Sequence, residues 1–202
     1  MNGHPKGTKV LYDDREIATR VRELGQDINQ FYHAKGYPSG WATPEELTNE
    51  ELPEVFNGDN SLLVVGILKG AVYFFSNLTQ ELDFPLAIDF MRISSYNDET
   101  SSQGDVRITA DISANVQGRD VLIVEDILDS GQTLDFLIRT MRERGAKSVK
   151  TCVFIDKTCR RVVDIHADWV GLTLPENKFL FGYGMDHQQL YRELRYICYV
   201  EK

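Results

Sequence analysis

The sequence predicts an α/β fold, a mainly parallel central sheet flanked by helices. Short apolar runs recur, at Ser61–Leu68 and Val121–Val124, as they do in strands buried on both faces, and Ser148–Ile155 reads as a further strand. Stretches with helical spacing, closed by caps and glycines, lie between such runs. The run Val121-Leu122-Ile123-Val124 leads directly into Glu125-Asp126 and then Asp129-Ser130-Gly131-Gln132-Thr133. Open α/β sheets bind ligands at the carboxyl ends of their strands, where those polar residues fall. With 202 residues, 42% of them hydrophobic, the chain can bury one substantial core, and a single domain over 1–202 is expected.

Taken in order, residues 1–9 are polar, bear glycine and proline, and read as a flexible lead-in. Asp13 and Glu16 form a capping-box pattern ahead of Ile17, Val21, Leu24, Ile28 and Phe31, whose spacing is helical, and Gly36 ends that helix. The segment 37–60 is acidic and broken by prolines, and reads as a surface insertion. Within it Thr43-Pro44-Glu45-Glu46 is a helix start, and Trp41 has no assigned role. After the strand Ser61–Leu68, Lys69-Gly70-Ala71 turns into a helix running through Leu82. A lysine and a glycine there suit an anion, although a lysine solvated at a turn is the plainer reading. Leu86–Ile93 is a third strand and Val106–Ile112 its return. The polar loop between them, Ser94–Gly104, lacks apolar anchors and should be mobile when empty. Thr133–Gly145 is helical, and Ser148–Ile155 is a strand ending in Asp156-Lys157.

The chemistry concentrates after Val124. Asp129 to Thr133 combine a glycine for close backbone approach, two hydroxyls and a helix amino end, where successive N–H groups and the helix dipole favour an anion. Two carboxylates beside that cradle would repel a bare phosphate, so they face another part of the same ligand. A ribose 5-phosphate fits, because its diol donates to carboxylates while its phosphate lies on the loop. The GxxxxGK[ST] pattern is absent and Gln132 stands where its lysine would, which excludes a Walker-type triphosphatase. A net charge of −9 argues against a nucleic-acid or anionic-membrane partner. Three cysteines, no visible secretory signal and no apolar run near membrane length read as free thiols in a soluble cytoplasmic protein. His4, His33, His166 and His187 show neither metal spacing nor a triad partner.

Glu125-Asp126 through Thr133, behind four apolar residues, resembles the phosphoribosyl-pyrophosphate (PRPP) motif of the type I phosphoribosyltransferases. Leu68-Lys69-Gly70, Ser95-Tyr96, Lys157, Lys178–Asp186 and Tyr191-Arg192-Glu193-Leu194 extend the resemblance to the hypoxanthine-guanine branch, from about Ile17 to the end. It implies that family's fold, with a small hood built from the chain ends, and a Leu68–Lys69 peptide able to be cis. It implies that Ser130, Gly131, Gln132 and Thr133 hold the 5′-phosphate, while Lys69, Gly70, Ser95, Tyr96 and Arg192 contact pyrophosphate under a closing loop. Lys157 would donate to the purine O6, Phe179 would stack on the base, and Leu180 and Asp186 would meet its edge. Asp129 would be the acid/base at N7, beside Glu125 and Asp126 at the ribose, with Mg²⁺ on Asp186, Glu125 and Asp126. Hypoxanthine and guanine are the implied purines, with xanthine as the alternative. A homodimer or homotetramer is the implied assembly. A PRPP-sensing regulator of the same fold is the rival class, and the acidity, Lys157 and Asp186 weigh against it.

Overall fold

The structure, a computed structural model, describes residues 4–40, 61–96 and 105–200, except for the side chains of Ser95, Tyr96 and Asp105. Three of the expected strands become Leu62–Leu68 (β2), Asp120–Leu128 (β5) and Ser148–Asp156 (β6). Leu86–Tyr96 (β3), Asp105–Ala110 (β4) and Trp169–Thr173 (β7) complete a sheet ordered β4-β3-β2-β5-β6-β7. All its pairings are parallel except that of the edge strand β4 with β3. Side chains alternate across it. Leu63, Val65, Val121, Ile123 and Val153 meet Leu134, Leu137 and Met141 of helix α3 (Gln132–Glu143). Leu62, Val64, Leu122, Val124 and Phe154 meet α1 (Asp14–Ala34) and α2 (Val72–Gln80) on the other face. Each such aliphatic side chain contributes roughly 1.5–3 kcal/mol by leaving water, so burial on both faces holds the central strands.

The capping box at α1 is formed as its residues dictate. Asp13 Oδ1 accepts from the amides of Arg15 at 2.9 Å and Glu16 at 2.8 Å, and Glu16 returns a carboxylate to the Asp13 amide at 2.8 Å. The helix ends before Gly36 at φ +95°. Its buried stripe closes on Tyr32, not on Phe31. Tyr32 continues the four-residue step from Ile28 into the core, while Phe31 stands edge-on to Trp169 at 5.3 Å. Tyr37, assigned from sequence to the insertion, packs against Tyr32 with ring centroids 5.1 Å apart and donates to Asp120 Oδ2 at 3.1 Å. The remainder of that segment, 41–60, with Trp41 and the Thr43-Pro44 helix start, lies outside the described residues.

The second sheet is small and antiparallel, ordered β1-β9-β8: Thr8–Tyr12 (β1), Ile197–Val200 (β9) and Leu180–Phe181 (β8). This is the expected hood. It draws Thr8 and Lys9 out of the expected lead-in, because Thr8 pairs with Val200, a partner far beyond any local window. Two further boundaries move. Ser94, Ser95 and Tyr96 continue β3, paired with Arg107, Val106 and Asp105, so the strand outlasts its apolar run and the loop is shorter at that end. Residues 97–104 of that loop lie outside the described residues. Glu125 and Asp126 lie within β5, not beyond it, since pairing with β6 carries the strand to Leu128.

Candidate active site

Ile127 packs on the α1–α2 side of the sheet and Leu128 on the α3 side, the reverse of the alternation through Val124, so the two-residue period of the strand breaks at Glu125 and Asp126. Both acids line one cleft of about 470 Å³ at the carboxyl ends of β2 and β5. Lys69, Gly70, Thr133, Phe179, Leu180, Asp186 and Arg192 line the same cleft. A cavity of about 570 Å³ lies apart from it, between α1, α2 and residues 193–195, and is lined by none of the residues given a site role from sequence. Burial, and then the charge of Asp126, pushes the Glu125 carboxyl up to about 8. Asp126 is pushed up to about 6, again first by burial, with the amides of Ile127 and Asp126 and the charge of Arg192 working the other way. No cation acts on Glu125, and the charge of Arg192 does not offset burial at Asp126, so both acids favour a donor or cation brought by a ligand.

Glycines allow three segments to meet here. A Cβ on Gly70 would lie 1.7 Å from Asp126 Oδ2, and one on Gly184 would lie 2.0 Å from the Gly70 carbonyl oxygen. The turn after β2, the end of β5 and the hood therefore approach at backbone distance. The Leu68–Lys69 peptide is cis. Arg192 donates to the Gly184 carbonyl at 2.7 Å and to Asp186 Oδ1 at 2.5 Å, while Asp186 Oδ2 accepts from the Gln189 amide at 2.8 Å. The expected pyrophosphate arginine and the expected metal carboxylate thus pair with each other in the ligand-free protein. Phe179 is 54% exposed, with its ring open to the cleft and His187 edge-on at 5.4 Å, so it is not the core residue that a strand-and-turn reading would make it. Leu180 is buried in β8 opposite Tyr199.

The remaining expected residues stand on the loop after β5, at the end of β6 and in β3. Gly131 has φ +88°, a conformation that favours glycine, and α3 starts directly after it. Ser130 Oγ lies 3.4 Å from the Gln132 amide, a weak local cap. Asp129 Oδ1 is buried and makes an ion-pair contact with Arg160 Nε at 3.5 Å but no hydrogen bond. Lys157 is buried at the end of β6, and its amide donates to the Leu128 carbonyl at 3.0 Å. Its neighbour Asp156 pairs with Arg161. Ser95 and Tyr96 sit in β3 two and three residues past Ile93, which lines the cleft.

Sequence reasoning missed two residues. His187, read as structural, stands against Phe179 and also 6.1 Å from the Phe181 ring. Arg161 donates to the carbonyls of Asp129 at 3.2 Å and Leu128 at 3.5 Å, and also to Ile165 and Asp156. The Cys159-Arg160-Arg161 run carries no motif that would have singled it out.

Among the described residues no three His, Cys, Asp or Glu side chains converge on one point, which excludes an all-protein cage there. Mg²⁺ is ordinarily held by one or two carboxylates with substrate oxygens and water. Asp186, Glu125 and Asp126 on one cleft fit that donor set.

A phosphoribosyl-transfer protein is the class that this fold and cleft define. The family profile described as phosphoribosyl transferase domain matches residues 46–188, and the chain belongs to that family. It is 39% identical to the hypoxanthine-guanine phosphoribosyltransferase of Bacillus subtilis, over 94% of this chain and 91% of that protein. It is 43% identical to a bifunctional TilS/HprT protein of Listeria monocytogenes, over 94% of this chain, and spans 25% of that longer protein. Among solved structures, a hypoxanthine phosphoribosyltransferase of Trypanosoma cruzi superposes with a TM-score of 0.83 at 32% identity, over 98% of this chain and 94% of that one. One from Staphylococcus aureus does so at 0.78 and 35%, over 96% and 91%.

Proposed function

We propose that the chain is a 6-oxopurine phosphoribosyltransferase of purine salvage, moving the 5-phosphoribosyl group of PRPP onto hypoxanthine or guanine to give IMP or GMP and pyrophosphate. One observation carries this reading. Two buried acids, an exposed aromatic ring, a lysine-glycine turn and an Asp–Arg pair from distant segments share one cleft beside a phosphate loop. A T. cruzi hypoxanthine phosphoribosyltransferase, 32% identical to this chain, has been solved with its product IMP, which supports the assignment.

Each residue then has a task. Amides and hydroxyls of Ser130, Gly131, Gln132 and Thr133 take the 5′-phosphate at the helix amino end. Glu125 and Asp126 accept from the ribose hydroxyls and stabilise positive charge as it develops at the anomeric carbon. Lys69, Gly70, Ser95, Tyr96 and Arg192 receive the departing pyrophosphate. Phe179 stacks on the base, Leu180 meets its edge through backbone groups, and Lys157, a donor without acceptor capacity, selects the 6-oxo group over an amino group. Asp129 exchanges the proton at N7, a reading supported by an Oδ1 that makes no hydrogen bond within the protein. Mg²⁺, on Asp186 with Glu125 and Asp126, would neutralise charge on the pyrophosphate. We place the protein in the cytoplasm as a homodimer or homotetramer. Among the described residues no helix is long and apolar enough to cross a membrane.

A steady-state panel of hypoxanthine, guanine, xanthine and adenine with PRPP and Mg²⁺, read by pyrophosphate release, tests the proposal. Turnover of hypoxanthine and guanine and none of adenine is expected. Silence with every 6-oxopurine, or turnover of xanthine alone, would overturn it.

A further inference from the structure

The phosphate loop is held from behind. Arg161 Nε donates to the Asp129 carbonyl at 3.2 Å, and the Val162 and Val163 amides donate to the Ser130 carbonyl at 2.9 and 3.0 Å. Among the described residues the only cis peptide is Leu68–Lys69, so the loop's peptide units are trans. In a planar trans peptide the C=O of one residue and the N–H of the next point opposite ways. With the carbonyls of Asp129 and Ser130 pulled onto the 161–163 wall, the amides of Ser130 and Gly131 are aimed away from it. Successive amides aimed to one side form an anion-binding concavity.

Arg161 is built for that duty. Its side chain is 14% exposed, and its planar fork reaches acceptors on β5, on the loop and at Ile165, while Asp156 supplies the counter-charge. Gly131 makes room for the wall: a Cβ there would lie 2.7 Å from Ile165 Cγ2 and 3.1 Å from Arg161 Cδ. We propose that Arg161 is the positioning residue of the phosphate loop, presenting the Ser130 and Gly131 amides to a ribose 5-phosphate without touching it. The identity of that ligand rests on the functional reading above; the clamp itself does not.

The test compares Arg161→Met, which removes every donor, with Arg161→Lys, which keeps the charge. Amide hydrogen exchange over residues 128–133 of the ligand-free protein should quicken about tenfold in both variants, as a lost buried hydrogen-bond set predicts, with β2 unchanged. KM for PRPP should rise by about the same factor in both, with kcat within about threefold, because uniform ground-state binding is what the clamp supplies. Unchanged exchange in the loop would overturn the proposal. So would a wild-type KM in Arg161→Lys, since charge alone would then suffice, or exchange quickening equally in β2, which would mark a general structural role. The exchange measurement needs no turnover. A wild-type protein that formed no nucleotide would therefore refute the functional reading while the loop amides still decided the clamp.

Discussion

Asp129 has one carboxylate oxygen buried in an ion-pair contact with Arg160 at 3.5 Å but without a hydrogen bond. A carboxylate oxygen with no hydrogen bond of its own can take up a proton that arrives with a ligand. Losing one preorganised electrostatic partner commonly costs about 3–4 kcal/mol. Asp129→Asn should therefore lower kcat by roughly 10²–10³-fold with KM for PRPP little changed; wild-type turnover in a nucleotide-formation assay would rule the role out. Phe179 makes the opposite kind of prediction. It is exposed, so Phe179→Ala leaves no core cavity and should shift stability by no more than about 0.5 kcal/mol. Base stacking is worth about 1–3 kcal/mol, so the variant's KM for hypoxanthine should rise about tenfold or more. An unchanged KM would remove Phe179 from the site. Both residues were legible in the sequence from their motifs. Arg161 was not, because its role is to reach carbonyls, and carbonyls leave no trace in residue identity.

At the scale of elements, Asp120 ties the start of β5 to its neighbours. It accepts from Lys35 at the end of α1 at 3.0 Å, from Tyr37 at 3.1 Å and from Ser148 at the start of β6. Burial alone would raise this carboxyl. The hydrogen bonds of Ser148, Lys35 and Tyr37 and the charge of Lys35 outweigh burial and hold it below the ordinary carboxylate range. A depressed folded-state pKa contributes stability that is present above the unfolded value of about 3.9 and is lost as pH falls through the folded one. Thermal melts between pH 6 and 2.5 should thus lose less stability in Asp120→Asn than in wild type at the acid end; parallel curves would contradict this. The element pattern itself was largely readable, since apolar runs and a capping box are local signals. Strand ends were not. β5 runs on through two acids and β3 through Ser94–Tyr96 because ladder hydrogen bonds to neighbouring strands, not hydrophobicity, extend them.

Across the whole molecule, β1 and β9 from opposite ends of the chain meet in the hood, and β8 of that hood leads directly from Phe179, the proposed stacking residue. Deleting residues 1–12 would remove β1 and leave β9 an open edge beside β8. The truncated protein should melt earlier and bind purine more weakly, while its KM for PRPP, set at the β5 loop, changes far less. Equal losses for both substrates would show that the hood serves the fold at large and not the base.

By itself the sequence determined the α/β class, the inner strands and the polar Asp129–Thr133 loop ahead of a helix, since each is written in periodicity or in a short motif. The tertiary structure decided the rest. It brought Glu125 and Asp126 into one cleft with the turn after β2 and the hood, paired Asp186 with Arg192, turned Phe179 outward and brought Arg161 behind the loop. Those facts depend on contacts between segments far apart along the chain, and closing such contacts is a property of packing that no local window of residues encodes.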